Sequence, residues 1–299
     1  MRNNAKHTLD SDVVVIGAGP AGFGAAVAAA RQGLNVCLLE SGDIIGGIMA
    51  TCPGMPIGAA YPNGMSIGGI LDDFLDRLYT MNPPAAEKRK CRLTEFGPEV
   101  FYDPEIAIFT LFEMLQVAGV NLLLNATALE PILDENNVTG VIYYDKNGKN
   151  TISTKVLIDC SGDGDVAAKA GVPFEKGDDI FSGKKFSDGV VCCDNAVDNV
   201  CRGSNISEYI ALIGNGLYYQ VPFRCMLPKH IENLLFAGRC ISADSVALAS
   251  VRGMATCMGL GQAAGTAAAK SIRERKRIQN INYEELIQEL REHGVNGLN

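Results

Sequence analysis

The arrangement of apolar residues near the start of the chain predicts two strands with a helix between them. Residues 13–16 form an unbroken β-branched run, which is typical of a parallel strand buried on both faces. A glycine-rich turn and an alanine-rich stretch, residues 21–30, follow it, and a second apolar run ends at Glu40. This order predicts a βαβ unit.

Apolar residues recur at helical spacing in three later segments. The first covers residues 67–78, where the charged positions face mostly outward. The second begins at Pro104, with Asp103 placed to cap it, and ends at Gly119. The third, residues 282–294, closes the chain. We predict that these helices pack by their apolar faces.

Further strands are predicted between and after these helices. Residues 120–158 contain an apolar strand, a hairpin and a final strand, with a turn at residues 145–148. Residues 233–240 predict another buried strand, and residues 253–276 predict a small-residue helix that becomes basic at its end, as the helix dipole prefers. The pattern fades between Phe174 and Tyr219.

These elements together predict a three-layer α/β domain of the Rossmann-like class. A parallel sheet has helices on one side and a β-meander, residues 138–158, on the other. We divide the chain into a first part of a dinucleotide-binding domain at 1–173, a short insertion at 174–219, and a C-terminal part at 220–299.

Composition and charge narrow the function classes. The formal net charge of −8 disfavours nucleic acid and anionic membranes as partners. The polar start lacks the apolar core of a secretion signal, so we expect a cytoplasmic location. Neither alanine-rich stretch approaches the roughly 20 apolar residues of a membrane span, so we expect a soluble protein.

The ten cysteines show no C-x-x-C pair, so we expect free thiols and no metal. Cys192, Cys193 and Cys201 could be considered as metal or cluster ligands. However, neighbouring residues of an extended chain point to opposite faces, which makes shared ligation awkward. Cys37 and Cys160 lie in apolar strand patterns, where cysteine acts as a small hydrophobic residue.

The glycines of the first turn predict a site for a dinucleotide. Gly17 permits the tight turn, Gly19 lets the backbone approach a pyrophosphate, and Gly22 lets the helix pack closely on the strand. Glu40 follows Gly17 by 23 residues, near the spacing of about 20 expected for an acid that binds the ribose hydroxyls. It also argues against a 2′-phosphate.

Four separated segments of the chain resemble the FAD-dependent oxidoreductases of the glutathione-reductase-like fold. The resemblance is closest to bacterial flavoproteins distantly related to fumarate reductase flavoprotein subunits. The segments are GAGPAGFGAA with Glu40, the pair Gly46 and Gly47, IDCSGDGDVAAKAG, and the block from VPFRC to GQAAGTAAA. Their order covers residues 11–173 and 220–294, and it implies FAD as the cofactor.

The resemblance also implies where FAD binds. At the pyrophosphate and the adenosine half it places Gly17, Gly19, Ala21, Gly22, Glu40, Gly46, Gly47, Ala128, Ser161 and Gly162. Toward the ribityl chain and the ring it places Gly238, Arg239, Gly261, Gln262, Ala263 and Ala264. The last four are expected to begin a helix whose N-H groups face the pyrimidine edge of the flavin.

This chain departs from the family at the cap domain. Family members carry a much longer insertion there, whereas the 46 residues 174–219 fill the gap here. Catalytic candidates therefore come from residue chemistry. Arg252 and Arg224 could clamp an anionic substrate or form ordinary ion pairs. Cys52 could act on the flavin face or be a bystander, and His230 could move protons or lie in a surface turn.

Three functions remain in competition. The first is an FAD-dependent oxidoreductase that moves a hydride or electron pair to or from a small organic substrate, such as a carboxylate. The second is a flavin-binding module without its own turnover. It could be an electron-transfer subunit, a degenerate remnant, or an enzyme completed by a partner such as an electron-transfer protein or a second copy of the chain. The third is a thiazole synthase, a similarly short protein of related fold that binds an adenine dinucleotide and uses a cysteine or metal.

Overall fold

The computed structural model describes residues 8–91, 97–172, 186–194, 197–198, 210–211, 218–243 and 245–298. Most of the insertion predicted at 174–219, including Cys201, lies outside the described residues. The strands are β1 (Thr8–Ile16), β2 (Val36–Leu39), β3 (Ala86–Arg89), β4 (Glu99–Tyr102), β5 (Asn121–Leu123), β6 (Thr127–Asp134), β7 (Asn137–Asp145), β8 (Gly148–Asp159), β9 (Gly189–Cys193), β10 (Val197–Asp198), β11 (Ile210–Ala211), β12 (Tyr219–Pro222) and β13 (Leu234–Phe236). The helices are α1 (Pro20–Arg31), α2 (Ile48–Thr51), α3 (Ile70–Tyr79), α4 (Pro104–Ala118), α5 (Asp165–Lys169), α6 (Ser245–Val251), α7 (Met254–Glu274) and α8 (Tyr283–Glu292), with 3-10 turns at Pro62–Gly64, Phe223–Met226 and Ile278–Asn280.

Five parallel strands in the order β5-β2-β1-β8-β13 form the centre of the sheet. Residues 13–15 of β1 have no exposed surface, as the β-branched run predicts for a strand covered on both faces. The antiparallel meander β6-β7-β8 continues the same sheet because β8 is long enough to serve both parts. Its first half pairs with β7, and its second half pairs with β13. The predicted α/β class and the turn between Asp145 and Gly148 are confirmed.

The ends of the predicted helices follow local chemistry. The side chain of Asp103 accepts hydrogen bonds from the amides of Glu105 (3.0 Å) and Ile106 (3.1 Å) at the start of α4. Gly119 ends that helix in the left-handed region, with φ of 79°. Asn282 caps α8 in the same way as Asp103 caps α4.

Small residues let α1 and α7 approach each other closely. A Cβ atom on Gly261 would overlap the carbonyl oxygen of Ala21, and one on Gly265 would overlap that of Ala25. On the opposite helix, a Cβ on Gly24 would overlap the carbonyl oxygen of Met258. These glycines therefore serve the contact between the two helices, where bulkier residues would force the backbones apart.

The helix predicted over residues 253–276 is confirmed, since α7 runs from Met254 to Glu274. The expectation from the resemblance that residues 261–264 begin a helix is wrong, because they lie two to three turns inside α7 and are fully buried. Both the oxygen and the nitrogen of the Gln262 side-chain amide form hydrogen bonds to the backbone of other elements. Its Oε1 accepts from the amide of Ile70 (2.9 Å), and its Nε2 donates to the carbonyl of His293 (3.3 Å).

The described ends of the predicted insertion belong to the core. β9 pairs antiparallel with β12 and packs on α7, where a Cβ on Gly259 would lie 2.6 Å from Cγ2 of Val191. The short strands β10 and β11 pair with each other. Among the described helices, none combines the length and the hydropathy that crossing a membrane requires.

Candidate functional site

The register of the parallel strands brings the predicted cofactor residues to one edge of the sheet. Ile16 of β1 lies beside Leu39 of β2 and Asp159 of β8, and Asp159 lies beside Phe236 of β13. The residues that follow these strand ends are Gly17, Glu40, Cys160 with Ser161, and Ala237 with Gly238. In open α/β sheets, ligands bind outside the carboxyl ends of the strands.

The first turn has the geometry of an anion cradle. Gly17 has φ of +89°, and a Cβ there would lie 2.7 Å from the carbonyl oxygen of Cys160. A Cβ on Gly22 would overlap the carbonyl oxygen of Gly17. By contrast, the nearest atom to a Cβ on Gly19 would be 4.0 Å away, so space lies in front of this residue.

The start of α1 presents free backbone donors to this space. The first bond within the helix runs from the amide of Phe23 to the carbonyl of Gly19 (2.9 Å), so the amides of Ala21 and Gly22 precede it. Amides at a helix N-terminus together with the helix dipole bind phosphate groups. The turn and this helix end therefore fit the pyrophosphate of an FAD molecule.

Glu40 is held at the end of β2 by two backbone donors. Its Oε2 accepts from the amide of Ala18 (2.8 Å), and its Oε1 accepts from the amide of Gly42 (2.8 Å). Each carboxylate oxygen can accept a further hydrogen bond. The half-buried carboxylate thus braces the glycine turn and can still bind ribose hydroxyls.

Gly46 and Gly47 lie against the first turn. The amide of Gly46 donates to the carbonyl of Ala18 (2.8 Å), and a Cβ on Gly47 would lie 3.0 Å from the Cα of Gly19. Gly47 has φ of +52°, which is strained for residues with a side chain. The pair therefore forms one wall of the space in front of Gly19.

The loop after β8 lies beside the first turn, since a Cβ on Gly17 would lie 3.1 Å from the Cα of Ser161. Asp159 is fully buried, and its carboxylate accepts from Ser161 Oγ (2.7 Å) and from the amides of Ser161 (3.0 Å) and Ala167 (3.2 Å). Gly162 has φ of +90°, and a Cβ there would overlap the guanidinium of Arg239. The side chain of Arg239 is half exposed, and its guanidinium lies 3.7 Å from Oδ1 of Asp163.

Two further predicted positions extend the site in opposite directions. A Cβ on Gly238 would lie 2.9 Å from the Cβ of Ala21, so the end of β13 meets the start of α1. Ala128 lies at the start of β6, close to the end of β2, because the amide of Ala126 donates to the carbonyl of Glu40 (2.9 Å). These contacts trace a path from β6, past Glu40 and the glycine turn, to Gly238.

The path continues to the N-terminus of α7. A Cβ on Gly238 would lie 3.8 Å from Sγ of Cys257, which is in the first turns of α7. The first bond within that helix runs from the amide of Cys257 to the carbonyl of Gly253 (2.8 Å), which leaves the amides of residues 254–256 ahead of it. A second helix N-terminus therefore lies near the far end of the path.

A small cluster of side chains stands beside this helix end. The hydroxyl of Tyr102 donates to the carbonyl of Met49 (3.1 Å) and lies 4.0 Å from Sδ of Met254. Burial, together with the nearby thiol of Cys52, raises the pKa of Tyr102 to about 12. Cys52 itself is half-buried at the end of α2. Cys52 thus lies close enough to Tyr102 to affect its pKa, beside the side chains that border the start of α7.

The other catalytic candidates have different surroundings. Arg224 forms an ion pair with the buried carboxylate of Asp188 and stacks 4.9 Å from the ring centre of Phe186. Arg252 is exposed on the turn between α6 and α7. His230 is exposed in the bend before β13. Arg224 therefore forms an ion pair, and its role as a substrate clamp stays a prediction.

Burial also affects four other thiols near the path. Burial raises the pKa of Cys37, Cys240 and Cys257 to about 12 and that of Cys160 further above its usual range. Thiols with such pKa values stay protonated at neutral pH and are poor nucleophiles. Within the described ranges, the structure groups no three His, Cys, Asp or Glu side chains in a way that could hold a metal ion.

Sequence reasoning missed Asp159 and Tyr102. Asp159 ends an apolar strand just as Glu40 does, so the acid at a strand end was an available signal. Tyr102 lies on β4, an element that no periodic pattern indicated. Its place beside Met49 and Met254 depends on contacts across 53 and 152 residues, which no local pattern reveals.

Comparison with known proteins gives a family match over most of the chain. A model described as FAD dependent oxidoreductase matches residues 12–180 and 176–290. Digeranylgeranylglycerophospholipid reductase 1 of Methanococcoides burtonii is 30% identical over 153 residues, which are 50% of this chain and 37% of the relative. Thiamine thiazole synthase of Aeropyrum pernix is 29% identical over 153 residues, 47% of this chain and 46% of the relative. The chain thus spans less than half the length of these curated relatives.

Solved structures share the fold at low sequence identity. THI4 of Thermovibrio ammonificans aligns with a TM-score of 0.54 and 15% identity, covering 88% of this chain and 90% of that one. A geranylgeranyl bacteriochlorophyll reductase-like protein of Thermoplasma acidophilum also gives 0.54, at 14% identity, covering 95% and 83%. These similarities support the Rossmann-like architecture described above.

Proposed function

Because the chain belongs to the FAD dependent oxidoreductase family, we propose that it transfers a hydride or an electron pair between FAD and a small organic substrate. The family match confirms FAD as the predicted cofactor. The main support for the proposal is that the carboxyl ends of β2, β1, β8 and β13 lie side by side. They form a continuous path from Ala128 to the N-terminus of α7. We also propose the finer placement among glutathione-reductase-like folds related to fumarate reductase flavoproteins.

In this proposal, the residues of the chain bind and orient the cofactor. The amides of Ala21 and Gly22 bind the pyrophosphate, and Glu40 binds the adenosine ribose. The amides at the start of α7 stabilise negative charge at the pyrimidine edge of the ring. FAD, when bound, supplies the redox chemistry. Arg252, Arg224, Cys52 and His230 remain proposals for substrate contact. We also propose the domain division at 173 and 219.

The visible spectrum of the purified protein, followed by anaerobic titration with NADH, NADPH and a panel of carboxylates, tests the proposal. We expect a yellow protein whose flavin band is bleached by one of these reagents, which also identifies its electron source. A protein that stays colourless and takes up no FAD would overturn the proposal. Pale or partly loaded protein is first reconstituted with FAD, so that low occupancy is not mistaken for an inability to bind.

A flavin-binding module completed by a partner is the second candidate. The loop that leads from Glu40 past the pyrophosphate space exposes four large apolar side chains, each 40–44% exposed: Ile44, Ile48, Met55 and Met65. Apolar surface concentrated beside a cofactor site is typical of a surface that another subunit covers. A yellow protein that no reagent in the panel reduces would favour this candidate.

A thiazole-synthase-like activity is the third candidate. The similar length of THI4, of which this chain covers 90%, and the 29% identity to a thiamine thiazole synthase favour it. The mass of the nucleotide released on denaturation separates the candidates. Release of FAD supports the oxidoreductase, whereas release of a different adenine dinucleotide would favour the thiazole synthase.

A further inference from the structure

A buried network of hydroxyl groups and a thiol lies behind the junction of α6 and α7. Tyr219 donates its hydroxyl to Oγ of Ser250 (2.6 Å), and Thr256 donates its hydroxyl to Sγ of Cys193 (3.5 Å). Cys193 Sγ lies 3.7 Å from Ser250 Oγ, which links the two pairs. All four residues are at most 1% exposed. The network is therefore shielded from water.

The network fastens both ends of one short segment. Ser250 is in the last turn of α6, and Thr256 is in the first turn of α7, so the two residues bracket residues 251–255. Gly253, the N-cap of α7, has no side chain with which to cap the helix. The direction of the free amides at the start of α7 therefore depends on contacts made by Ser250 and Thr256.

These contacts lead to the strands that border the predicted insertion. Cys193 is the last residue of β9, and Tyr219 is the first residue of β12. The two residues are paired in the ladder between these strands. Loss of a hydrogen-bond partner is unfavourable for a buried hydroxyl, so these contacts favour one arrangement of the ladder and the junction.

We propose that Tyr219 is a positioning residue that, through Ser250, aims the N-terminus of α7 at the pyrimidine edge of FAD. This inference rests on the proposed function, since it assumes that the ring lies at that helix end. The stabilisation of negative charge by a helix end falls off within its first turn. A small rotation of residues 253–256 therefore weakens the interaction with the reduced, more negative flavin more than with the oxidised flavin. Through the same contacts, strands β9 and β12 are coupled to the cofactor.

The variant Tyr219→Phe tests the proposal, because it removes one hydroxyl and keeps the ring. The matched control is Tyr143→Phe in β7 of the meander, where the tyrosine is 4% exposed. The first measurement is the ratio of the affinities for reduced and oxidised FAD, obtained from the midpoint potentials of bound and free flavin. We expect this ratio to fall about threefold to fivefold in Tyr219→Phe and to stay unchanged in the control.

The second measurement is hydrogen exchange of the amides of residues 253–257 in the apoprotein. We expect faster exchange in Tyr219→Phe than in Tyr143→Phe, in the absence of any turnover. If Tyr219→Phe does not fold, the pair Thr256→Val and Thr256→Ser replaces it. Thr256→Val should show both effects, and Thr256→Ser, which keeps the hydroxyl, should restore the wild-type values.

The outcomes separate this inference from the proposed function. Failure of the wild-type protein to bind FAD contradicts the proposed function itself. If the wild type binds FAD while the affinity ratio and the exchange at residues 253–257 match those of the control, the positioning role of Tyr219 is overturned and the cofactor assignment stands.

Discussion

The substitution Gly19→Ala separates cofactor binding from folding. The backbone at Gly19 has φ of −71°, which any residue can adopt, and a new Cβ would meet its nearest atom at 4.0 Å. Alanine is a poorer N-cap than glycine by roughly 0.5–1 kcal/mol. Alanine also reduces the conformational entropy of the unfolded chain, which stabilises the folded state by about 0.4–1 kcal/mol. The free energy of unfolding of the apoprotein should therefore change by less than about 0.5 kcal/mol.

The same Cβ should weaken FAD binding strongly. It enters the space in front of the turn, where we propose that the pyrophosphate meets the amides of Ala21 and Gly22. A hydrogen bond to a charged group contributes roughly 1.5–3 kcal/mol, and about 1.4 kcal/mol corresponds to a factor of ten in affinity. Displacing one such bond should raise the dissociation constant of FAD about 10- to 100-fold.

Titration of apoprotein with FAD and urea unfolding of apoprotein measure the two effects. Gly58→Ala is the control, because the backbone there does not require glycine and a Cβ would have no neighbour within 4 Å. Gly22→Ala is the contrast, because its Cβ would overlap the carbonyl oxygen of Gly17 and should destabilise the apoprotein by about 1–3 kcal/mol. Wild-type FAD affinity in Gly19→Ala would refute the placement of the pyrophosphate.

Two further predictions follow from charged side chains. Glu40→Ala removes the acceptor of the Ala18 and Gly42 amides and the proposed ribose contact, so the FAD affinity measured by the same titration should fall about tenfold. Gly19→Glu should have a larger effect and abolish binding, because it places a carboxylate in the proposed pyrophosphate space. The side chain of Lys270 is 3% exposed, and its Nζ lies 2.5, 2.8 and 3.1 Å from carboxylate oxygens of Glu274, Glu285 and Glu289. The variant Lys270→Met should therefore lower the free energy of unfolding at pH 7 by about 2 kcal/mol. Ion pairing with Lys270 and Lys276 lowers the pKa of Glu274, so this stabilisation is present above the unfolded pKa of glutamate and is lost as pH falls through the folded pKa. Urea unfolding of both proteins from pH 7 to pH 3 should therefore show the difference shrinking, and a constant difference would contradict this account.

The parts of the fold that the sequence predicted correctly depend on neighbouring residues. The strand, turn and helix around Gly17 follow from a β-branched run and local glycines, and the ends of α4 follow from Asp103 and Gly119. A cap bonds to amides two or three residues away, so the signal and the structure lie together in the chain. Such elements can be predicted from a single sequence.

The resemblance placed the start of α7 incorrectly at residues 261–264, although the residue pattern alone predicts a helix over 253–276, close to the observed Met254–Glu274. A pattern of small and apolar residues indicates the helix, but it does not show which of its residues lie at the cofactor. The helix begins where the chain leaves α6 and where Thr256 meets Cys193, 63 residues earlier. Arg224 was uncertain for the same reason, since its partner Asp188 is 36 residues away.

Glycine illustrates why a motif alone does not define the site. Gly22, Gly261 and Gly265 are required by the protein, because a Cβ on each would overlap a backbone carbonyl of a packed neighbour. Gly19 is not required by the protein, since a Cβ there would meet open space. A glycine without a structural need, at the free end of a helix and beside an aligned row of strand ends, is explained by a ligand. This distinction assigns residues 261–265 to the contact between helices, and it supports the proposal that the cofactor approaches Gly19 and the start of α7.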